Sequence, residues 1–182
     1  MPEGGPYVKI KERYRIKIAG SVDNLTWLII IVGWAIDRIL KVAVQNSFMP
    51  GESVAIIPNV VHLTYVLNPG AAFGLLAGKT WIFIVAAILS VGVIFYVNHQ
   101  LDRDDRWTKL ALGMIGTGAL GNLYDRIVYG HVIDYVDVRI WSYIFNFADA
   151  MIVVGVGILM LNLLLTERKI KSGKESNSSE SK

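Results

Sequence analysis

The sequence predicts an α-helical membrane protein with four transmembrane helices and a small extracytoplasmic β-rich segment and loop. Of its 182 residues, 53% are hydrophobic and only 18% are charged, whereas soluble domains usually carry about 25% charged residues. The mean hydropathy is +0.46. The apolar residues are concentrated in four runs, whose lengths approach the roughly 20 residues that a helix needs to cross a bilayer. These observations argue against a disordered chain and against a soluble domain.

The four apolar runs set the expected domain organisation. They occupy residues 25–44, 81–97, 107–123 and 148–165. We expect residues 25–165 to form one transmembrane domain. The preceding segment 1–24 is basic and is predicted to lie in the cytoplasm, and the basic, Ser-rich tail 166–182 is predicted to be a disordered cytoplasmic segment.

The first run is predicted to be a retained helix and not a cleaved signal peptide. Asp37, Arg38 and Lys41 interrupt what would have to be the uncharged apolar core of such a peptide. Asp37 and Lys41 are separated by one helical turn and therefore share a helix face. Two interpretations of this pair remain open, namely a structural ion pair and a contact with a lipid or substrate group at the membrane interface.

Two polar segments separate the runs on what we predict to be the outer surface. Residues 45–78 combine prolines and glycines with the β-prone stretch 60–67, which predicts short strands and turns. Residues 124–147 are polar and aromatic. Lys and Arg residues concentrate in the N-terminal segment, the central loop and the tail, and this bias predicts that both termini are cytoplasmic. Both polar segments are then expected to face outward together.

Residue content excludes or disfavours several kinds of chemistry. The chain contains no Cys, so thiol nucleophiles and thiolate metal sites are excluded. His62, His99 and His131 are scattered and form no HExxH pattern, so neither a metalloprotease nor any metal or cofactor is predicted. The net charge of +3 comes from basic residues beside apolar runs, which indicates membrane topology and no nucleic-acid partner.

Taken singly, Asp149 is typical of a helix start and Asp134 of a solvated loop, but as a pair they are candidates for catalysis. Both are predicted at the outer surface, at the ends of adjacent elements. Two carboxyl groups brought within a few ångströms cannot both ionise easily, so one keeps a proton. Such a pair can deprotonate a water and protonate a scissile carbonyl oxygen or leaving amine. A Ser/Lys hydrolase built from Lys41 and Ser47 or Ser53 is disfavoured, because a neighbouring carboxylate would keep the lysine protonated.

Two non-enzymatic classes remain as alternatives. A transporter or channel subunit could use the same two aspartates to carry protons or bind a cation. That class predicts acids nearer the middle of the spans and an internal repeat, neither of which is visible. A non-catalytic assembly factor could pair helices through Gly113, Thr117 and Gly121, whose spacing lets helices approach closely. Any helical bundle needs such packing, so this face does not discriminate between the classes.

Five blocks of residues, taken in order along the chain, resemble the lipoprotein signal peptidase (signal peptidase II) family. They read DRILK at 37–41, NPGAAFG at 68–74, GALGNLYDR at 118–126, VIDYVD at 132–137 and FNFAD at 145–149. The resemblance covers residues 25–165. Where the family usually has Gln and a polar residue in the first block, this chain has Arg38 and Leu40, and Pro69 stands where polar residues are common.

The resemblance implies an aspartic endopeptidase that cuts prolipoproteins before a diacylglyceryl-modified Cys. It implies that Asp134 and Asp149 are the catalytic residues and that Asp37 and Lys41 are structural or lipid-contacting. The residues implied to bind substrate are Asn68, Gly70, Asn122, Arg126 and Asn146. It further implies a bacterial cytoplasmic membrane location in contact with lipid, no cofactor or metal, no nucleic-acid partner, and a monomer.

Overall fold

The computed structural model describes residues 24–70, 79–101, 105–140 and 143–179, with side chains as far as residue 168. The basic segment 1–23 and the end of the second resemblance block, residues 71–74, lie outside the described residues. The elements in chain order are α1 (Asn24–Ser47), β1 (Ser53–Ile57), β2 (Val61–Asn68), α2 (Thr80–Gln100), α3 (Arg106–Val128), β3 (Val132–Val138), β4 (Ile144–Phe145) and α4 (Phe147–Ser179). The protein is therefore mostly helical with one small antiparallel sheet, as the sequence predicts.

Each of the four apolar runs lies within one of the four long helices, but the number of membrane spans is not confirmed. Within the described ranges, two helices are long and apolar enough to cross a membrane, Thr80–Gln100 and Phe147–Arg168, with mean hydropathies of 2.4 and 2.2. Helix α1 contains Asp37, Arg38 and Lys41, which lower its hydropathy. Helix α3 contains glycines, threonines and several charged residues, and these have the same effect.

Helix α3 lies at the centre of the helix packing, because small residues let its neighbours approach closely. Thr117 packs against Gly33 of α1, where a Cβ atom would come within 2.6 Å of the threonine side chain. The Thr117 hydroxyl donates to the Ile29 carbonyl oxygen at 3.1 Å. On the side towards α4, a Cβ atom on Gly118 would collide with the Ala148 carbonyl oxygen. A larger side chain at these positions would force the helices apart.

The two predicted outer segments join in a single sheet. Its strand order is β1-β2-β3-β4, and every neighbouring pair is antiparallel. Segment 45–78 contributes β1 and β2, and segment 124–147 contributes β3 and β4. Within the β2–β3 pair, Val66 lies opposite Asp134 and Asn68 lies opposite Val132. Side chains two apart on a strand share a face, so the sheet places Asn68 and Asp134 on the same side.

A cluster of buried apolar side chains fixes the sheet to the end of α1. It consists of Val44, Tyr65, Ile133 and Tyr135, with Phe48 and Phe147 packed against it. Ile133 is completely buried. Because Ile133 and Tyr135 face this cluster, the alternation along β3 directs Asp134 to the opposite face of the strand.

The structure corrects one expectation about the tail. Helix α4 does not end near Leu165 but continues to Ser179, so most of the segment predicted to be disordered is helical. Residues 167–171 read ERKIK. Glu, Arg and Lys are good helix formers, and neither Gly nor Pro occurs between Leu165 and Gly173 to interrupt the helix.

Candidate active site

A cavity of about 270 Å³ lies between the sheet and helices α2, α3 and α4. Six of the residues proposed from sequence line it, namely Asn68, Gly70, Asn122, Arg126, Asp134 and Asp149. These residues come from β2, the segment that follows it, α3, β3 and α4. The fold thus brings both proposed catalytic aspartates and most of the proposed binding residues to one place.

The Asp134 carboxyl group is held by two asparagine side chains. The residue is 1% exposed. Its Oδ1 accepts a hydrogen bond from Asn146 Nδ2 at 2.6 Å, and its Oδ2 accepts one from Asn68 Nδ2 at 2.7 Å. The Asn68 amide is oriented in turn by Gly70, whose backbone N–H donates to Asn68 Oδ1 at 3.0 Å. Each oxygen of the Asp134 carboxyl group therefore accepts a hydrogen bond from a neutral donor, and these two bonds fix the orientation of the carboxyl group.

Asp149 is fixed by the N-terminus of α4. Asn146 precedes the helix, and its side-chain Oδ1 accepts from the Asp149 backbone N–H at 3.1 Å. In return, Asp149 Oδ2 accepts from the Asn146 backbone N–H at 3.1 Å. This reciprocal pair is a capping-box arrangement, which satisfies amide groups that a helix start leaves without partners. The other oxygen, Asp149 Oδ1, accepts from Asn122 Nδ2 at 2.8 Å.

Asn146 links the two aspartates. Its side-chain amide donates to Asp134, and its carbonyl oxygen accepts from the Asp149 backbone N–H. The carboxyl groups also interact electrostatically. Burial is the largest cause that raises the pKa of Asp134 to about 6, and the negative charge of Asp149 raises it further. The hydrogen bonds from Asn68 and Asn146 oppose this rise. The arrangement favours a pair that holds one proton between two carboxyl groups.

Arg126 lies over the same cavity. Its guanidinium group stacks on the Phe83 ring at 4.7 Å from the centroid. It donates to the Gly70 carbonyl oxygen and to the Asn122 carbonyl oxygen, both at 3.3 Å. The bond to Asn122 spans one turn of α3. These contacts leave a cation beside two carboxyl groups in a partly enclosed space.

Tyr143 and Phe83 are two of the cavity residues that the sequence analysis did not name. Burial and the charges of Asp149 and Asp134 raise the pKa of Tyr143 to about 12, so its hydroxyl stays protonated and can donate. Tyr143 is one of several aromatic residues in segment 124–147, and nothing local marks it. Phe83 lies in an apolar run, where only the tertiary contact with Arg126 distinguishes it from other core residues.

Asp37 and Lys41 lie behind the cavity and not on its wall. Both side chains are 0% exposed, and Lys41 Nζ is 3.1 Å from Asp37 Oδ2. Lys41 Nζ is also 2.6 Å from Asp125 Oδ2. Arg38 pairs with Asp37 and with Asp125, each at 2.6 Å. Of the two interpretations left open, this burial favours the structural ion pair over a lipid contact. The sequence analysis assigned no role to Asp125 and treated Arg38 only as a departure from the family pattern.

Ser47 and Ser53, which were considered for a Ser/Lys hydrolase, do not line the cavity. Ser53 lies on β1, where its hydroxyl contacts Thr64 at 2.7 Å and Arg139 at 3.3 Å. Within the four described ranges, no group of three or more His, Asp or Glu side chains is arranged to hold a metal ion. The chemistry that the described geometry offers is acid–base catalysis by a pair of carboxyl groups.

Comparisons with known proteins show which sequences this chain is similar to. The sequence profile of the Signal peptidase (SPase) II family matches residues 29–165. The lipoprotein signal peptidase of Desulfitobacterium hafniense (strain DCB-2) is 58% identical over 145 residues, which cover 80% of this chain and 96% of that protein. The lipoprotein signal peptidase of Moorella thermoacetica is 45% identical over 138 residues, covering 76% and 91% of the two chains.

Solved structures are also similar to this chain. A bacterial membrane enzyme determined by the in meso method at 2.3 Å resolution superposes with a TM-score of 0.71 and 30% identity, over 76% of this chain and 87% of that one. A second bacterial membrane enzyme, determined at 1.9 Å, superposes with a TM-score of 0.68 and 30% identity, over 76% and 92%.

Proposed function

Since the chain belongs to the signal peptidase II family, whose members are aspartic peptidases, we propose that it cuts prolipoproteins before a diacylglyceryl-modified Cys with an Asp134/Asp149 dyad. The observation that carries the proposal is the sharing of Asn146 by two carboxyl groups that line one cavity. Each of the four carboxyl oxygens accepts a hydrogen bond from a neutral amide. A helix start accounts for the two bonds between Asp149 and Asn146, but not for the side-chain amides of Asn68, Asn122 and Asn146 that bind the two carboxyl groups beside the cavity.

In the proposed mechanism the dyad enters the reaction with one proton. A water lies between the two carboxyl groups, and the ionised one removes a proton from it as it attacks the scissile carbonyl carbon. The protonated carboxyl group donates to the carbonyl oxygen, so that a neutral tetrahedral diol forms. The carboxyl group that took up the proton of the water then donates a proton to the amide nitrogen, and the C–N bond breaks. The raised pKa of Asp134 supports a carboxyl group that can still be protonated near neutral pH.

The cavity walls suggest how a lipidated substrate is held. Helix α2 contributes Phe83, Ala86 and Ala87 to the wall, and α4 contributes Ile152. Among the residues that the structure describes, these are the two helices that are apolar and long enough to cross a membrane. Acyl chains and an apolar signal peptide can therefore reach the cavity from the bilayer. Arg126, Asn68 and Asn122 supply donors and acceptors for peptide carbonyls or lipid ester oxygens.

The chain is a bacterial membrane protein, and we place it in the cytoplasmic membrane as a monomer without nucleic acid. Residues 25–165 form the transmembrane domain, both termini are cytoplasmic, and the sheet and dyad face outward. The Lys and Arg distribution supports this orientation. The chain has no native Cys, so Ser53→Cys and Arg168→Cys can be labelled separately with an impermeant maleimide on intact cells. Ser53→Cys should react and Arg168→Cys should not, and the reverse pattern would contradict the orientation.

The direct test is cleavage by the purified protein. It is incubated in detergent with a diacylglyceryl-modified prolipoprotein and, in parallel, with the same precursor lacking the lipid. The lipidated precursor should be cut immediately before the modified Cys, as read by mass spectrometry of the product, and Asp134→Asn should cut neither. Equal cleavage by the wild type and by Asp134→Asn would remove the dyad from the mechanism.

A further inference from the structure

A buried cluster of four charged groups lies directly behind the proposed dyad. We call Asp37, Arg38, Lys41 and Asp125 the charge cluster. It contains two cations and two anions, joined by four ion pairs between 2.6 and 3.1 Å. The cluster connects α1 to α3 and, through the Ile133 backbone N–H that donates to Asp125 Oδ2 at 3.3 Å, to β3. Ion pairing alone explains a structural role for it.

Lys41 makes one contact that ion pairing does not explain. Its Nζ donates to Asn122 Oδ1 at 3.2 Å in a fully buried setting. Asn122 is the residue whose Nδ2 donates to Asp149 Oδ1 at 2.8 Å. A second donor, Asn146 Nδ2, also reaches Asn122 Oδ1 at 3.2 Å. The charge cluster and the dyad are therefore joined through a single amide side chain.

An asparagine amide has one accepting end and one donating end, and a lysine ammonium group can only donate. With Lys41 and Asn146 both donating to Oδ1, the amide must turn its NH₂ towards Asp149. The flipped orientation would place NH₂ against the ammonium group and the carbonyl oxygen against a carboxylate. Both of these contacts are repulsive, and in a buried site neither is relieved by water.

We infer that Lys41 is a positioning residue of the proposed peptidase, which holds the Asn122 amide in the orientation that donates to Asp149. Lys41 does not touch the cavity, so it acts through Asn122 and not on the substrate. The inference rests on the proposed function, because it assigns Lys41 to the same dyad. It also gives the charge cluster a reason to lie beside the dyad and not elsewhere in the bundle.

Several charged or titratable groups lie around the dyad. Lys41 approaches it from α1, Arg126 from α3, and Tyr143 from the residues that precede β4. The α2 residues that line the cavity, Phe83, Ala86, Ala87 and Ser90, are uncharged. The positive charge of Lys41 lowers the pKa of Asp134. Removing Lys41 should therefore shift the pH profile of cleavage towards higher pH as well as release the amide.

The test compares Lys41→Met with Lys109→Met, which replaces another buried lysine of this structure, 1% exposed and on α3. Cleavage of a lipidated prolipoprotein is measured for each purified variant as kcat and KM per folded molecule across pH 5–9. Lys41→Met should lower kcat about 10- to 100-fold, the range known for loss of a supporting hydrogen-bond partner at metal sites, with KM nearly unchanged and the alkaline limb at higher pH. Lys109→Met should change kcat less than about twofold, whatever it does to stability.

Lys41→Met removes one of the two cations of the charge cluster and leaves both anions, so it can lower stability. The double variant Lys41→Met/Asp125→Asn separates this loss of stability from the positioning role of Lys41. It removes one cation and one anion, and leaves Arg38 paired with Asp37. Melting temperature in detergent should recover towards that of the wild type, while kcat and the alkaline limb should remain those of Lys41→Met. Recovery of wild-type kcat and pH profile together with stability would overturn the inference.

Asp134→Asn, assayed alongside, separates this inference from the proposed function. If Asp134→Asn is inactive and the double variant cleaves like the wild type, only the role of Lys41 is overturned. If Asp134→Asn cleaves like the wild type, the dyad itself is overturned, and a positioning role of Lys41 towards it is overturned as well.

Discussion

Asp134 and Asp125 are buried to the same extent, yet their surroundings differ in kind. Asp134 is 1% exposed and Asp125 is 0% exposed. Asp134 receives its hydrogen bonds from two neutral amides and faces a cavity. Asp125 lies between the side chains of Arg38 and Lys41, each 2.6 Å away, and is closed off from solvent. The partner groups, and not the degree of burial, distinguish a carboxyl group fitted for proton transfer from one fitted for structure.

The physical reason lies in how each environment treats negative charge. A buried carboxylate with only neutral donors is incompletely compensated for its lost hydration, so protonation becomes easier and the pKa rises, as it does for Asp134. A carboxylate between two cations, as Asp125 is, forms ion pairs that join α1 to α3. This contrast can be tested by making the same substitution in both regions.

The largest effect is expected in the dyad. Asp134→Asn or Asp149→Asn should each lower kcat by about 10⁴-fold, because groups that act as a unit lose nearly all activity when one member is removed. For the same reason the double variant should be little worse than either single one. Single-turnover assays with a lipidated prolipoprotein measure the rates, and circular dichroism in detergent checks that each variant is folded. A single variant with near-wild-type turnover would exclude that residue from the dyad.

The matching substitution in the charge cluster should act on stability instead. Asp125→Asn removes the anion shared by Arg38 and Lys41, and breaking a buried ion pair typically costs about 3–5 kcal/mol. We expect a clearly lower melting temperature in detergent than for the wild type or for Asp134→Asn. If Asp125→Asn melted with the wild type, the charge cluster would not be a stabilising element.

Arg126→Lys is expected to lower cleavage by about 10- to 100-fold with little change in melting temperature. Lysine keeps the charge but loses the planar fork and the stacking on Phe83. Arg139→Lys is a suitable control, because Arg139 is 46% exposed and pairs with Asp137 away from the cavity. Early melting of Arg126→Lys with normal activity per folded molecule would make Arg126 structural.

The pH dependence should reflect the dyad and give the smallest effect. With the pKa of Asp134 raised to about 6, the shared proton is present below that pH and is lost as the pH rises through it. We therefore expect kcat to fall above about pH 6, by at most about tenfold per pH unit. Tyr143→Phe should leave the position of this limb unchanged, since the pKa of Tyr143 is about 12. A limb that moves with Tyr143→Phe would point to the phenol and not to the dyad.

Local patterns in the sequence were sufficient to locate the four long helices. Apolar runs located all four long helices, because a helix that packs in a bundle or faces lipid must be apolar along most of its length. The residues of the FNFAD block also encode the start of α4, since Asn146 and Asp149 have the spacing of a capping box. Such signals depend on neighbours within one or two turns, which a sequence displays directly.

Only the tertiary structure decided which groups are partners. Arg38 and Asp125 are 87 residues apart in the chain and form one hydrogen-bonded pair, and Asn68 reaches Asp134 across 66 residues. The joining of segments 45–78 and 124–147 in one sheet is equally non-local. The sequence predicts that each buried charged side chain needs a partner of opposite charge, but it contains several candidate partners for each of them. The choice among them follows from how closely the glycines and Thr117 let α1, α3 and α4 approach, because a pairing distance near 3 Å depends on the positions of entire helices.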